Sequence, residues 1–452
     1  MKNKIFFLFQ LISGIAFSQW AEQASGFSAA SRGVNSINIV NDTVVWAGAY
    51  DGTNTTNYIT EFTKTTNGGI TWTAGIINSG LIGAGLANIS AINADTAWAC
   101  IFHPTQAAAG GVWKTTNGGL SWTQQTSAAF VASSFPNFVH FWDRNNGIVM
   151  GDPSGGYFEI YTTTDGGTTW TRTPNTNNQL SSNAGSEYGY TNLFSVADGK
   201  LWFGTSTGRI FKTTDKGLSF TNSTPGNGIT DVQKIAFADS LTGYACMHTS
   251  GNKSWKITKT TDGGATWSAL QNNTAIANTT IFGADICVVP GTNALISVGS
   301  DPSAIGSSYS FDGGLNWSLM EDTSLAPQRL SVRFLNSTTG WSGSFNTNQT
   351  TSGIFKFEGT VGIAAVNKQN QVLTLFPNPA SEELHIALSG FSGKSIEVEI
   401  RSVTGIEIKK HHFQTSENND VTFSDLSEIP AGIYWLVVRD GQVSMTKKLI
   451  IK

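Results

Sequence analysis

The chain has 452 residues, enough for two or three domains or for one large repeat domain with an appendage. Its 27 Lys and Arg against 31 Asp and Glu leave a net charge of -4 with no basic run, which excludes a phosphate-binding field and, with it, nucleic acid as a partner. Charged residues are only 13% of the chain while Gly reaches 49 and Trp 14, a mixture suited to short strands, tight turns and aromatic packing.

The chain opens with Lys2 and Lys4, an apolar run from Ile5 to Phe17, and the small residues Ala16 and Ser18. That order predicts a secretory signal peptide over residues 1–18, cut before Gln19. The run is too short for a membrane span of about 20 residues, and no later segment is long enough.

One pattern then recurs six times: TTNGGITW, TTNGGLSW, TTDGGTTW, TTDKGLSF, TTDGGATW and SFDGGLNW. Its acidic or amide positions are Asn67, Asn117, Asp165, Asp215, Asp262 and Asp312, and its aromatic positions are Trp72, Trp122, Trp170, Phe220, Trp267 and Trp317. The intervals are 50, 48, 50, 47 and 50 residues, one four-stranded sheet per repeat. The lines resemble the Asp-box, or BNR, repeat. The chemistry of such a box is architectural: the Asp or Asn caps a tight hairpin, the Gly pair accepts positive φ, and the aromatic ring packs between sheets.

Each box follows the same order: an apolar strand, a turn, a second strand ending in small residues, a variable loop, and a third strand leading into the box. Residues 331–358 supply three such strands with no box. The missing fourth is expected at the other end, where Trp20 to Ser25 matches Trp122 to Ser127 after the second box. The expectation is therefore an all-β, seven-bladed propeller over residues 19–359, closed by its N-terminal strand, which leaves no open sheet edge. Cys100, Cys246 and Cys287 sit in apolar strands with no metal-ligand spacing; they read as buried small hydrophobes, with a Cys246 to Cys287 bridge left open.

Residues 360–371 break the repeat and read as a linker. Residues 372–452 carry Pro377, Asn378 and Pro379, a central Gly405, Leu426, and the segment Pro430, Ala431, Gly432, Ile433, Tyr434, and end in KKLIIK. This segment resembles the type IX secretion C-terminal sorting domain. The resemblance implies a small immunoglobulin-like β-sandwich, recognition by the type IX machinery, and removal with attachment of the passenger to surface lipopolysaccharide. The protein is then secreted or held on the outer surface of the outer membrane.

With strands running up and down, the boxes share one face with the turns between first and second strands, and the opposite face is the expected ligand face. Tyr50 and Asp51, His103, Asp152, Thr205, His248, Asp301 and Phe345 follow the seven second strands there. The insertion from Arg172 to Tyr190 adds Glu187, Tyr188 and Tyr190. Asp152, Asp301, Glu187 and Asp51 are the carboxylates from which a glycosidase could draw an acid and a base; each is equally at home as a turn residue. Tyr50, His103, His248, Phe345, Tyr188 and Tyr190 are ligand-binding candidates.

Sialidases share the box, but the Phe/Tyr-Arg-Ile-Pro segment is missing ahead of Asn67, and sialidase activity is not expected. Gly204 to Gly208 fits G-x-S-x-G on a turn with no helix behind it and reads as coincidence. Nothing calls for a cofactor or a metal. Thr43, Thr96 and Ser240 resemble O-glycosylation acceptors and equally fit turn chemistry. The repeats are similar to the propellers of photosystem II assembly factors, which implies a fold and a binding role. The first reading is a surface-displayed, non-catalytic binding or adhesion propeller for a glycan or protein. The alternative is a glycoside hydrolase resembling Asp-box xyloglucanases, with a carboxylate pair on the face opposite the boxes.

Overall fold

The computed structural model describes residues 19–131, 133–183, 186–226, 228–248, 255–268, 281–361, 372–389, 395–402, 406–414, 420–439 and 444–452. The expected signal peptide, residues 362–371 of the expected linker, and Gly405 lie outside them. The chain forms two compact units that part between residues 362 and 363. Both are built from antiparallel strands, and helical structure among the described residues is limited to three short 3-10 turns.

In the first unit, Arg32–Ile39, Val45–Asp51, Glu61–Thr65 and Thr73–Ile76 pair in that order as one antiparallel set. The same order recurs in the sets that begin with Gly85–Ala91, Pro136–Phe141, Gly189–Ala197 and Asp285–Val288. The set that begins with Lys234–Phe237 has three strands among the described residues. The last set takes Arg329–Asn336, Thr339–Asn348 and Thr351–Phe357 from the end of the unit and its fourth strand, Trp20–Ala24, from the beginning. Trp20 stands opposite Phe357 and Ala24 opposite Gly353. The match between Trp20 to Ser25 and a fourth strand elsewhere in the sequence thus reports a true pairing. First and last sets also touch through the pair of Gly33 with Phe345.

The second strand of each set is largely buried on both faces because sheets cover it on both sides. Ala97–Phe102, AWACIF, is buried at every position. Burying such a strand stabilises by about 25 cal/mol per Å² of apolar surface, the main drive for stacking one set on the next. Each core cluster accordingly spans neighbours: Trp98 and Cys100 pack with Val139, Phe141 and Val149 of the following set. Trp98 lies flat on Phe141 at 3.5 Å, and Trp202 on Phe237 at 3.8 Å.

A polar clasp reinforces these contacts. Lys114 reaches over the Trp98 ring, 5.1 Å from its centre, and its Nζ donates to the Gly166 carbonyl of the next repeated turn at 2.7 Å; Trp98 Nε1 donates to the same oxygen at 3.1 Å. Lys64 lies over Trp46 and donates to the Gly118 carbonyl at 3.0 Å, and Lys356 lies over Trp341 and donates to the Gly68 carbonyl at 2.8 Å. Lys212 over Trp202 and Lys259 over Tyr244 repeat the stacking. Where the third strand carries Thr162 or Tyr309 in place of Lys, the paired second-strand residue is Ile148 or Ile296. Lysine and ring occur together because each gives the other its partner.

Cys100, Cys246 and Cys287 are free and buried, so the bridge left open between the last two is not formed. Burial pushes the Cys287 thiol up to about 12, and the other two also upward.

The second unit has a three-stranded sheet, Val372–Phe376, Leu384–Ser389 and Asp420–Phe423, and a four-stranded sheet, Glu407–Gln414, Ser395–Ser402, Gly432–Arg439 and Ser444–Ile451. Leu384 and Ile386 of the first and Val398, Ile400, Leu436 and Leu449 of the second share one core. No helix among the described residues is long and apolar enough to cross a membrane.

Candidate functional site

The repeated turns are closed on themselves. In the third, Thr163 Oγ1 donates to Asp165 Oδ1 at 2.8 Å and accepts the Gly167 amide at 2.9 Å, while Asp165 accepts the Thr169 amide and hydroxyl at 2.9 and 2.6 Å. The pattern holds around Asn67, Asn117, Asp215, Asp262 and Asp312. These bonds, the Thr169 hydroxyl first, hold Asp165 below the usual carboxylate range. Gly166 and Gly167 sit at φ +72° and +90°, as the turn requires. Trp72, Trp170, Phe220 and Trp317 are buried beside the turns, and Trp122 and Trp267 pack partly buried against the same cores.

These turns bond to the turns between first and second strands, Gly68 N to Thr43 O at 2.9 Å and Gly166 N to Asn145 O at 2.9 Å, so the two kinds of turn share one face. On that face Thr43 donates its amide and hydroxyl to Asn41 and the Thr96 amide is held by Asn93, the turn chemistry these positions also fitted, while the Ser240 amide is held by Asp198 of the preceding set. The remaining connections, between second and third strands and between sets, form the opposite face.

On that opposite face the candidate carboxylates are engaged one by one with their surroundings. Asp51 accepts the Thr53 amide and hydroxyl at 2.9 and 2.6 Å and Asn57 Nδ2 at 2.6 Å, and pairs with Arg32 at 3.1 Å. Those bonds, Thr53 first, hold it well below the usual range. Glu187 is buried, paired with Arg209, and accepts Thr205 and Thr207 hydroxyls at 2.6 and 2.8 Å and the Asn183 amide at 2.7 Å. Burial raises its pKa, but the Arg209 guanidinium and these donors more than offset that, and the net direction is down. Asp152 accepts Asn137 Nδ2 and the Gly189 amide, both at 2.8 Å; burial outweighs these bonds and raises it. Asp301 accepts the Ser303 amide and hydroxyl at 2.8 and 2.6 Å. None of these bonds joins two of the four.

His103 is a buried cap: its Nδ1 accepts the Thr105 and Gln106 amides at 3.3 and 3.1 Å, so Nε2 carries the proton toward the Ile82 carbonyl at 3.1 Å. His248 lies flat on Trp255 at 3.9 Å with Nε2 2.7 Å from the Gly283 carbonyl; burial lowers its pKa. Tyr190 donates to Asp231 at 2.8 Å and meets the exposed Tyr188 edge to face at 5.3 Å. Tyr50 and Phe345 meet at 5.8 Å across Gly33, where an added Cβ would fall 2.5 Å from the Tyr50 ring and 2.7 Å from that of Phe345.

Two hollows open on this face. One, of about 180 Å³, is lined by Asn35, Tyr50, Asn57, Tyr58, Phe102 and Thr191 among others. The other, shallower and of about 400 Å³, is lined by Asn35, His248, Gly283, Asp301 and Leu330 among others. Asn35 belongs to both. Its neighbours Ser36 and Asn38 line a central channel of about 280 Å³ together with residues from the first strands of the other sets, among them Asn88, His140, Ser195, Ile235, Ile286 and Arg333. Asn35, Tyr58 and Thr191 are functional candidates that the sequence reading did not single out. The signal available was the nine-residue connection between Asp51 and Glu61, against two residues between Asp301 and Ala304. Among the described residues of the connections on this face, Arg209 is the one cation, and it is paired with Glu187.

In the second unit, the opening and closing motifs meet. Asn378 accepts the Ile450 amide at 2.9 Å and donates to the Lys448 carbonyl at 2.8 Å, and Ala380, after Pro379, donates to the Ile450 carbonyl at 2.8 Å. Pro377 and Pro379 are exposed around that clip. Gly432 pairs with Ile451, the Tyr434 hydroxyl donates to the Pro430 carbonyl at 2.8 Å, and Leu426 is buried.

Radial four-stranded antiparallel sets stacked around a channel define a β-propeller, and the chain joins it to a sorting domain. Residues 374–452 match the secretion system C-terminal sorting domain, which indicates handling by the type IX secretion machinery and export to the cell surface or beyond. No curated protein matches the chain. Among solved structures it is similar to YCF48 bound to D1 peptide, at 14% identity and TM-score 0.51, over 76% of this chain and 98% of that one. It is also similar to the extracellular domain assigned to a hybrid two-component system of B. thetaiotaomicron, at 12% identity and TM-score 0.50, over 96% of this chain and 57% of that one. The Hadza microbial sialidase Hz136 matches at 13% identity and TM-score 0.41, over 73% of this chain and 66% of that one. At these identities the likeness to the first two is one of fold.

Proposed function

We propose that this protein is a seven-bladed Asp-box propeller, residues 19–359, exported behind a signal peptide and displayed by an immunoglobulin-like sorting domain, residues 372–452, as a non-catalytic binding module for a glycan or protein. Its surface attachment follows removal of the sorting domain and transfer to lipopolysaccharide. The observation that carries the absence of catalysis is the state of the carboxylates. Hydrolysis of a glycoside needs two facing the same bond, one of them able to give up a proton. Asp51 and Glu187 are each held as anions by an arginine and several donors; Asp152, though raised by burial, is bonded to Asn137 and Gly189, and Asp301 to Ser303, and none of these bonds joins two of the four.

The test is a screen of the full chain against glycans and polysaccharides, scoring retention and release of reducing ends together. Retention without release is expected. Release that disappears in Asp152→Asn or Asp301→Asn would replace this reading by the hydrolase.

A further inference from the structure

We propose that the two hollows meeting at Asn35 are adjacent subsites for an uncharged, linear oligosaccharide lying across the mouth of the central channel. The inference rests on the binding reading above and names its ligand class and its place.

The walls of the smaller hollow carry the chemistry that a sugar ring needs. Tyr58, at the edge of the long connection, stands edge to face with Phe102 at 5.3 Å and is 36% exposed, so one side of its ring is open to a second apolar face. Around it lie Asn35, Thr55 and Thr191, whose side chains have no hydrogen-bond partner among the described residues, and Tyr50, whose hydroxyl likewise has none. Aromatic faces beside convergent hydroxyls and amides suit a ligand with apolar C–H faces and a rim of hydroxyls.

The connection that carries Tyr58 is held in place. Asp51 fixes Thr53 and Asn57, and Asn54 fixes Thr56 through its amide at 3.0 Å and its hydroxyl at 2.7 Å. Asp51, read from the sequence as a candidate acid, is here a positioning residue: its charge is spent on the loop and on Arg32. A preformed wall loses less conformational entropy when a ligand arrives.

Charge selects the class. The described lining of the two hollows carries two carboxylates, Asp51 and Asp301, so an acidic glycan or acidic peptide would meet like charge there. Length follows from the second hollow, which shares Asn35 and adds Asp301 and the His248 edge as acceptor and wall. A single ring fills one hollow; a chain fills both.

The experiment measures calorimetric binding of the full chain to hexasaccharides and disaccharides of glucose, mannose and N-acetylglucosamine, with a sulfated hexasaccharide as the charged probe. At least one neutral hexasaccharide is expected to bind, more tightly than its disaccharide and than the sulfated probe. Tyr58→Ala and Asn35→Ala, both on exposed or half-exposed side chains, are each expected to weaken it by roughly tenfold, while Leu325→Ala on the same face leaves it unchanged. A neutral hexasaccharide that binds equally well to Tyr58→Ala and Asn35→Ala overturns the site but leaves the binding module standing. Binding confined to the sulfated probe or to a protein overturns the ligand class. Cleavage of a bound hexasaccharide overturns the non-catalytic reading without touching the site.

Discussion

The ring is closed by a strand from the wrong end of the unit, and a buried ion pair sits at that seam. Arg329, with no exposed side-chain surface, donates Nε and Nη2 to the two oxygens of Glu321 at 2.8 and 2.7 Å, and Glu321 is 4% exposed. The guanidinium lies between the Trp20 ring at 4.9 Å and the Phe355 ring at 4.5 Å. Trp20 Nε1 donates to Ser307 Oγ at 3.0 Å, and Ser307 donates to Glu321 at 2.7 Å. Glu321→Gln keeps the shape and removes the charge, leaving a buried guanidinium uncompensated at a cost of about 3–5 kcal/mol. Trp20→Ala removes a large buried side chain, again about 3–5 kcal/mol, of which the stacked cation supplies about 1–2 and the Ser307 bond about 1. Glu321→Gln combined with Arg329→Met leaves no unpaired charge, and its cost is expected to fall below that of Glu321→Gln alone. Equilibrium urea unfolding of the mature chain reads these differences, and hydrogen exchange of the Trp20–Ala24 amides locates them. A single-variant loss under about 1 kcal/mol, the range of a solvated pair, would refute the reasoning, as would a double variant costing as much as Glu321→Gln alone or more.

Asp285 ties three first strands together through Arg333 at 2.7 Å, Lys234 at 3.0 Å and the Val332 amide at 3.0 Å. Burial pushes its pKa up, but Arg333 and Lys234 outweigh that and hold it below its ordinary value, so its contribution is complete above about pH 4 and is lost as pH falls through the lower folded value. Acid unfolding of Asp285→Asn, already weakened at pH 7, is expected to depend less on pH below 4 than that of the parent. Lys114→Met should cost about 1–2 kcal/mol in the same urea assay by removing the clasp to Gly166 and the cation over Trp98. Asp165→Ala should cost about 1–2 kcal/mol through its turn while leaving any glycan affinity of the opposite face unchanged. Deletion of residues 374–452 should leave the passenger inside the outer membrane, read by cell fractionation.

What the sequence made legible is what repeats. The turn at Asp165 and its five counterparts could be read because their bonds are local, each closed within four residues. The seam at Trp20 could be read because one strand resembled another. The candidate site was legible only as a face. Whether Glu187 titrates or pairs depends on Arg209, 22 residues away, and Asp51 depends on Arg32, 19 residues before it; nothing in their own neighbourhoods announces either partner. The Lys114 and Trp98 clasp lies between: its register recurs in the sequence, but its acceptor, Gly166, belongs to the next set.

The two faces divide the work by the range of their interactions. On the box face, short-range turns and, from Lys64, Lys114 and Lys356, lysine clasps join a set to the next, so a change there is felt as stability. On the opposite face, the connections between second and third strands run from two residues to nine without disturbing the stacked strands, because the buried second strands and the turns of the box face already fix the sets. That freedom lets the connection after Asp51 grow long enough to bring Tyr58 over Phe102. The same connection then needs its own anchor, and Asp51 supplies it. A carboxylate at the end of a second strand on this face is therefore better read as the root of a loop than as an acid, and ligand contact is to be sought in the residues that the loop carries, with Tyr58 first among them.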